Sequence, residues 1–161
     1  MKEIKLNVEN LSEEDREQLM KLVEKANNKQ VTYKPSFGTI YWYISSEGAL
    51  YHSEWDEHFM DKMRYGIGNC FKTKEEAAFA LEKQKVVAEL KRFAEEHNKE
   101  KRDFGFCIIY DNLSNKVAVH FVESSFFNYG MAFFESAKVA DLAIKQIGKE
   151  RLKKYYFEVE E

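Results

Sequence analysis

The sequence predicts an α+β fold built from an internally duplicated strand-strand-strand-helix unit. One skeleton, Phe-x-Thr/Ser-x-x-x-Ala, occurs twice, in Phe71–Leu81 and in Phe134–Ile144. Each copy follows a Tyr-Gly pair and an aromatic segment that is typical of two strands. We interpret the skeleton as a helix entry, with an aromatic residue on the incoming strand, a hydroxyl N-cap, and alanines that let the helix lie close to the sheet.

The chain is predicted to contain an N-terminal strand-helix extension, residues 1–30, followed by two repeats, residues 31–100 and 101–161, within one compact domain. In the extension, residues 2–8 alternate as a short strand would, and Ser12 is the expected N-cap of a helix. We expect the repeats to form antiparallel sheets packed on their helices and related by a pseudo-twofold axis.

The first repeat begins with a predicted β-hairpin over Thr39–Trp55, in which Gly48 supplies the positive φ that a tight turn favours. Residues 56–65 are predicted to form a short helix. The apolar side of this helix contains Phe59, Met60 and Met63.

A third strand, Asn69–Lys72, and a long helix complete the first repeat. Thr73 and Glu76 have the spacing of a capping box, which predicts that the helix begins here and continues to about Glu96. A broad apolar face with a period of 3.6 residues runs along this helix.

The second repeat follows the same order. Its predicted elements are strands over Phe104–Tyr110, Lys116–Val122 and Met131–Phe134 and a helix over Ser136–Ile147. A final strand is predicted over Tyr155–Val159.

The composition of the chain indicates which kinds of partner and which cellular compartment to expect. With 25 basic and 28 acidic residues the formal charge is −3, so the chain lacks the basic excess that displaces counterions from nucleic acid, and we expect no nucleic-acid partner. No apolar run approaches the roughly 20 residues of a membrane span, and the start of the chain does not resemble a signal peptide, so we expect a cytoplasmic protein without a membrane partner. Cys70 and Cys107 are expected to be buried and reduced, although a disulfide between them stays open.

The aromatic residues of the first hairpin are the strongest candidates for a binding surface. Strand alternation cannot bury all of them on one face, so some must line a groove, a partner surface or the interface between the repeats. The candidate ligand- or partner-binding residues are Trp42, Tyr43, Tyr51, Trp55, Asp61 and Arg64. No catalytic residue, metal ligand or cofactor is predicted.

A polar cluster from His52 to Asp61 offers a second, catalytic interpretation. Histidines among carboxylates can bind a transition metal, but His52 lies on a predicted strand and His58 on the following helix, so no His pair has helical ligand spacing. The structural alternative is that Asp56 caps the short helix and that Asp61 and Arg64 form an i, i+3 ion pair.

Several strings together resemble a known group of proteins. They are Tyr41-Trp42-Tyr43-Ile44, Trp55, Asp61-x-x-Arg64 and Gly68-Asn69-x-Phe71-x-Thr73-x-x-Glu76-Ala77. This combination resembles a family of small, uncharacterised phage and prophage proteins of Firmicutes. The resemblance implies an accessory protein of a mobile element that acts in a bacterial cytoplasm, and it assigns no catalytic or binding residues.

The leading hypothesis is a non-enzymatic binding protein of phage or prophage origin. It would antagonise a host defence system by binding a host protein or by sequestering a small nucleotide signal. The alternatives are a metal-assisted hydrolase that uses the His52–Asp61 cluster and a structural or regulatory module that self-associates, for example as a homodimer.

Overall fold

The computed structural model describes residues 12–19, 33–99, 104–123 and 131–159, and their fold is mixed α+β, as predicted. Residues 13–19 are helical. The other elements are β1 Ile40–Ile44, β2 Leu50–Glu54, α1 Phe59–Gly66, α2 Lys74–His97, β3 Phe104–Asp111, β4 Lys116–Glu123, α3 Ala137–Ile147, the helical turn α4 Lys149–Arg151 and a π-helical turn, Leu152–Tyr156. The strand predicted over residues 2–8 lies outside the described residues.

The strands form two separate antiparallel pairs, β1 with β2 and β3 with β4. Each predicted third strand is reduced to a single bridge. Phe71 exchanges two backbone hydrogen bonds of 2.9 Å with Trp42, and Phe134 exchanges two of 2.8 Å with Phe106. The helix N-cap follows each bridge by only two residues, which leaves no length for a longer strand.

Two asparagine side chains extend the short third segments. The Asn69 amide accepts from the backbone N–H of Ile44 at 2.8 Å and donates to its carbonyl at 2.7 Å. The Asn98 amide donates to the carbonyl of Phe133 at 2.6 Å and accepts from the N–H of Glu135 at 2.9 Å. Each amide therefore supplies the donor and acceptor that another strand residue would have supplied.

The N-caps predicted at Thr73 and Ser136 are confirmed, as is the one at Ser12, whose hydroxyl accepts from the N–H of Asp15 at 3.2 Å. The capping box predicted with Thr73 is not completed, because the Glu76 carboxylate accepts from the N–H of Lys72 at 2.8 Å. The Thr73 hydroxyl accepts from the N–H of Glu76 at 3.2 Å, and the Ser136 hydroxyl accepts from the N–H of Val139 at 3.3 Å. The internal duplication itself stays a prediction, because residues 124–130, which would correspond to α1, lie outside the described residues.

The described residues form two buried cores of different composition. The larger core contains Val86, Leu90, Phe93, Ala94, Ile108, Ala132, Phe134, Ala140, Ala143, Ile144, Ile147 and Leu152. The smaller core contains Tyr41, Trp55 and Cys70, with Tyr33, Tyr43 and Tyr65 packed against it. The hairpin of β1 and β2 therefore belongs to an aromatic core of its own.

The final strand predicted over Tyr155–Val159 is wrong, because Leu152–Tyr156 is a π-helical turn packed on α2. The Arg151 guanidinium donates to both carboxylate oxygens of Glu89 on α2, at 2.8 and 3.0 Å. Leu152 is buried in the larger core. These contacts keep the segment helical although its aromatic residues favour a strand. No helix in the described ranges combines the length and apolar character needed to cross a bilayer.

Candidate functional site

The structure brings four of the six candidate residues together. Tyr43, Trp55, Asp61 and Arg64 surround Tyr41 in the space between the hairpin and α1. The other two lie nearby on the hairpin, on opposite faces of its sheet.

Tyr51 and Trp42 differ in their surroundings. The ring of Tyr51 stacks on Tyr43 at a centroid distance of 6.0 Å and is 53% exposed. Trp42 is half-buried on the opposite face, where its ring meets His52 edge-on at 5.3 Å and the Lys74 amine at 5.6 Å. Trp42 therefore lies beside the N-terminus of α2 and apart from the Tyr41 group.

The carboxylate of Asp61 is the centre of the group. Asp61 is only 2% exposed, and it is the one charged side chain that is buried among the described residues. Its Oδ1 accepts from the Tyr41 hydroxyl at 2.7 Å, and its Oδ2 accepts from the backbone N–H groups of Asp56 at 3.1 Å and His58 at 3.2 Å. A buried carboxylate is tolerated when donors surround it in this way.

Arg64 completes the group by contacting both tyrosines. Its Nη1 donates to the Tyr41 hydroxyl at 2.8 Å and lies 3.9 Å from Oδ1 of Asp61, so the ion pair predicted from the i, i+3 spacing is confirmed. Its guanidinium carbon lies 3.6 Å from the ring centroid of Tyr43, a cation–π contact. We call Tyr41, Asp61 and Arg64 the anchor network, since these bonds fasten α1 to β1.

The N-terminus of α1 corrects one expectation. Asp56 is not the N-cap. The N-cap is His58, because its Nδ1 accepts from the N–H of Met60 at 3.3 Å. The Asp61 carboxylate in turn accepts from the N–H of His58, as in a capping box. Asp56 instead accepts from the N–H of His58 at 2.9 Å. The helix begins later than predicted because Glu57 takes a left-handed conformation, with φ 63°, that a helix cannot include.

The pKa values of Tyr41 and Asp61 are shifted in opposite directions. Burial and the hydrogen bond to Asp61 raise the pKa of Tyr41 to about 12. Burial also tends to raise the pKa of Asp61, but the hydrogen bonds from Tyr41, Asp56 and His58 outweigh it and hold that pKa below its usual range. At neutral pH these shifts keep Tyr41 protonated and Asp61 ionised, which are the forms that the hydrogen bond from the hydroxyl to the carboxylate requires.

The histidines of the polar cluster have separate structural contacts. His52 packs against Trp42, and His58 caps α1. Within the described ranges, no three His, Cys, Asp or Glu side chains come together as ligands for a metal ion. Cys70 and Cys107 are buried free thiols, so the open question of a disulfide is answered, and burial raises the pKa of the Cys70 thiol to about 11.

A surface that was not among the predicted site residues lies on the outer side of α1. Phe59 is 67% exposed and Ile67 is 76% exposed, and between them Met60 and Met63 are each about half exposed. At 100° per residue Phe59, Met60 and Met63 occupy one arc of about 100°, opposite Asp61, and Ile67, the C-cap residue that follows α1, comes four positions after Met63. We call these four side chains the α1 stripe.

The helical apolar period identified Phe59, Met60 and Met63 as one side of α1, yet such a side normally faces inward. The sequence feature that indicates an outward-facing apolar side is the pair Asp61-x-x-Arg64. It lies on the other side of the same helix, near a tyrosine-rich hairpin. The missing information was the partner, Tyr41, which is 20 residues away in the sequence.

Comparisons with family models, with curated proteins and with solved structures found no match to this chain. The resemblance to phage and prophage proteins therefore stays a prediction. The function has to be inferred from the geometry of the anchor network and the α1 stripe.

Proposed function

We propose that this chain is a non-enzymatic binding protein of phage or prophage origin, which acts in the bacterial cytoplasm and antagonises a host defence system by binding a host protein. The observation that carries the proposal is the orientation of α1. The four large apolar side chains of the α1 stripe face solvent while the carboxylate of Asp61 is buried.

This orientation is costly for the isolated molecule. Each buried apolar side chain contributes about 1.5–3 kcal/mol, which the α1 stripe largely forgoes. Burying a carboxylate requires several hydrogen bonds only to compensate for lost hydration. An exposed cluster of large apolar side chains is typical of a surface that a partner covers, and the two methionines would let it adapt to that partner.

A protein partner is favoured over a nucleotide because most of the aromatic group is already in use. Trp55 is buried, and Arg64 donates to Tyr41 and stacks on Tyr43. Of the six predicted residues, Tyr51 has the most openly exposed ring. A base would find little open surface for stacking there, whereas the α1 stripe offers a continuous apolar surface.

The test is a pull-down from host lysate with matched variants. Met63→Glu introduces a charge at the centre of the stripe, and Leu113→Glu makes the same kind of change at a fully exposed leucine between β3 and β4. We expect the wild type and Leu113→Glu to retain the same host protein and Met63→Glu to lose it. Equal retention by all three would contradict the proposed surface, and turnover of a nucleotide or nucleic acid by the purified protein would contradict the non-enzymatic function.

A further inference from the structure

The spacing of the α1 stripe suits one mode of recognition. Met60 and Met63 stand at i and i+3 on α1, Ile67 stands at i+7 as its C-cap residue, and Phe59 is adjacent to them on the same arc. These are the anchor positions of a helix that inserts into an apolar groove. A single exposed helix is also convex, so its natural complement is concave.

The anchor network makes α1 a preformed ligand. An isolated helix of eight residues is marginal in water, because nucleation is unfavourable and few backbone bonds follow. Here Asp61 fixes the first turn through the N–H groups of Asp56 and His58, and Arg64 fixes the last turn through Tyr41. A helix that is already ordered loses less conformational entropy when it binds.

Charged side chains are unevenly distributed around the α1 stripe. Asp56 and Glu57 are exposed immediately before α1, and Glu54 is exposed at the end of β2. The exposed basic residue of α1 is Lys62, because Arg64 is directed toward Tyr41 and Asp61. The N-terminal end of the stripe is therefore acidic.

We infer that the partner presents an apolar groove that receives α1 as a helix and carries cationic side chains at the end that meets Asp56 and Glu57. This inference rests on the proposed function. A second copy fits less well, because antiparallel pairing of two α1 helices would place these acids against the negative end of the other helix dipole. An anionic lipid surface would repel the same acidic end.

The experiment uses the host protein that the wild type retains and Met63→Glu loses, purified as the binding partner. Asp56→Asn with Glu57→Gln removes two charges and keeps the oxygen that accepts from His58. Glu95→Gln with Glu96→Gln is the matched control, since it removes two exposed charges on α2. Binding is measured by titration calorimetry at about 50 and about 200 mM salt, because the higher salt concentration shortens the distance over which surface charges interact.

We expect the Asp56/Glu57 variant to bind roughly fivefold more weakly at low salt and to lose most of the salt dependence, whereas the control changes little. Phe59→Glu and Ile67→Glu should each abolish binding, because an inserted helix buries both ends of the stripe. Equal effects of the two charge variants would overturn the cationic groove and leave the proposed function standing. If no host protein is retained, and the wild type sediments as a dimer that Met63→Glu converts to a monomer, both proposals are wrong.

Discussion

The two cores of this protein are stabilised by different physical means. The larger core, around β3 and α3, consists mainly of aliphatic side chains and alanines. The smaller core, around β1 and α1, consists of tyrosines, a tryptophan and a cysteine beside the ionised carboxylate of Asp61. Aliphatic packing dominates the first core, whereas the second combines aromatic contacts with directional hydrogen bonds.

This difference determines how precisely each core fixes its helices. An aliphatic core tolerates small shifts, because apolar contacts have little directional preference. The anchor network specifies the rotation of α1 about its own axis, since only one rotation lets Asp61 meet Tyr41 and two backbone N–H groups together. That rotation is also the one that keeps the α1 stripe outward.

The largest expected effect comes from removing the carboxylate at the centre of the smaller core. Asp61→Ala leaves the Tyr41 hydroxyl and the N–H groups of Asp56 and His58 without their acceptor, and leaves the Arg64 charge without its counter-ion. We expect a loss of about 3–5 kcal/mol in the free energy of unfolding, measured by urea denaturation. Hydrogen exchange should show the loss confined to the first hairpin and α1. A uniform loss across α3 would mean that the two cores unfold as one.

A cavity in the larger core should cost somewhat less. Leu90→Ala removes a side chain that is 1% exposed and packs in the aliphatic core, and we expect a loss of about 2–4 kcal/mol. Val86→Ala, at another buried position of α2, should cost less because it removes two carbon atoms instead of three. If Leu90→Ala instead released protection around β1 and α1 first, the cores would not be independent.

These two cores also differ in how much of them the sequence could predict. The caps at Thr73 and Ser136 and the two hairpins were predictable, because each depends on residues close in the chain. The orientation of α1 was not, because it depends on a bond between Tyr41 and Asp61 across 20 residues. The final strand was misassigned because aromatic residues after Leu152 favour strands, whereas the contacts that hold the turn, such as that of Arg151 with Glu89, join residues 62 positions apart.

Removing only the hydroxyl of Tyr41 should have a smaller effect on stability. Tyr41→Phe removes the hydroxyl that donates to Asp61 and accepts from Arg64, and we expect a loss of about 1–2 kcal/mol at neutral pH. Asp61 keeps its two backbone donors in this variant, so the network is weakened rather than broken.

The same variant tests the pKa of Tyr41. Folding raises that pKa from 10 to about 12. The contribution of the Tyr41 hydroxyl to the free energy of unfolding is therefore fully present below pH 10 and is lost as the pH rises toward 12. The wild type should therefore lose more stability than Tyr41→Phe between these pH values, measured by denaturation at each pH. Parallel pH curves for the two proteins would show that Tyr41 does not titrate in this way.

The smallest effect on stability is expected on the outer side of the same helix. Met63→Glu exchanges an exposed side chain on α1, so the free energy of unfolding should change by no more than about 0.5 kcal/mol, as for Leu113→Glu. The comparison separates the two sides of α1, since Asp61→Ala is expected to destabilise the protein whereas Met63→Glu is expected to leave its stability unchanged. A loss above about 1 kcal/mol for Met63→Glu alone would mean that another part of this chain covers the stripe, and the partner would then have to bind elsewhere.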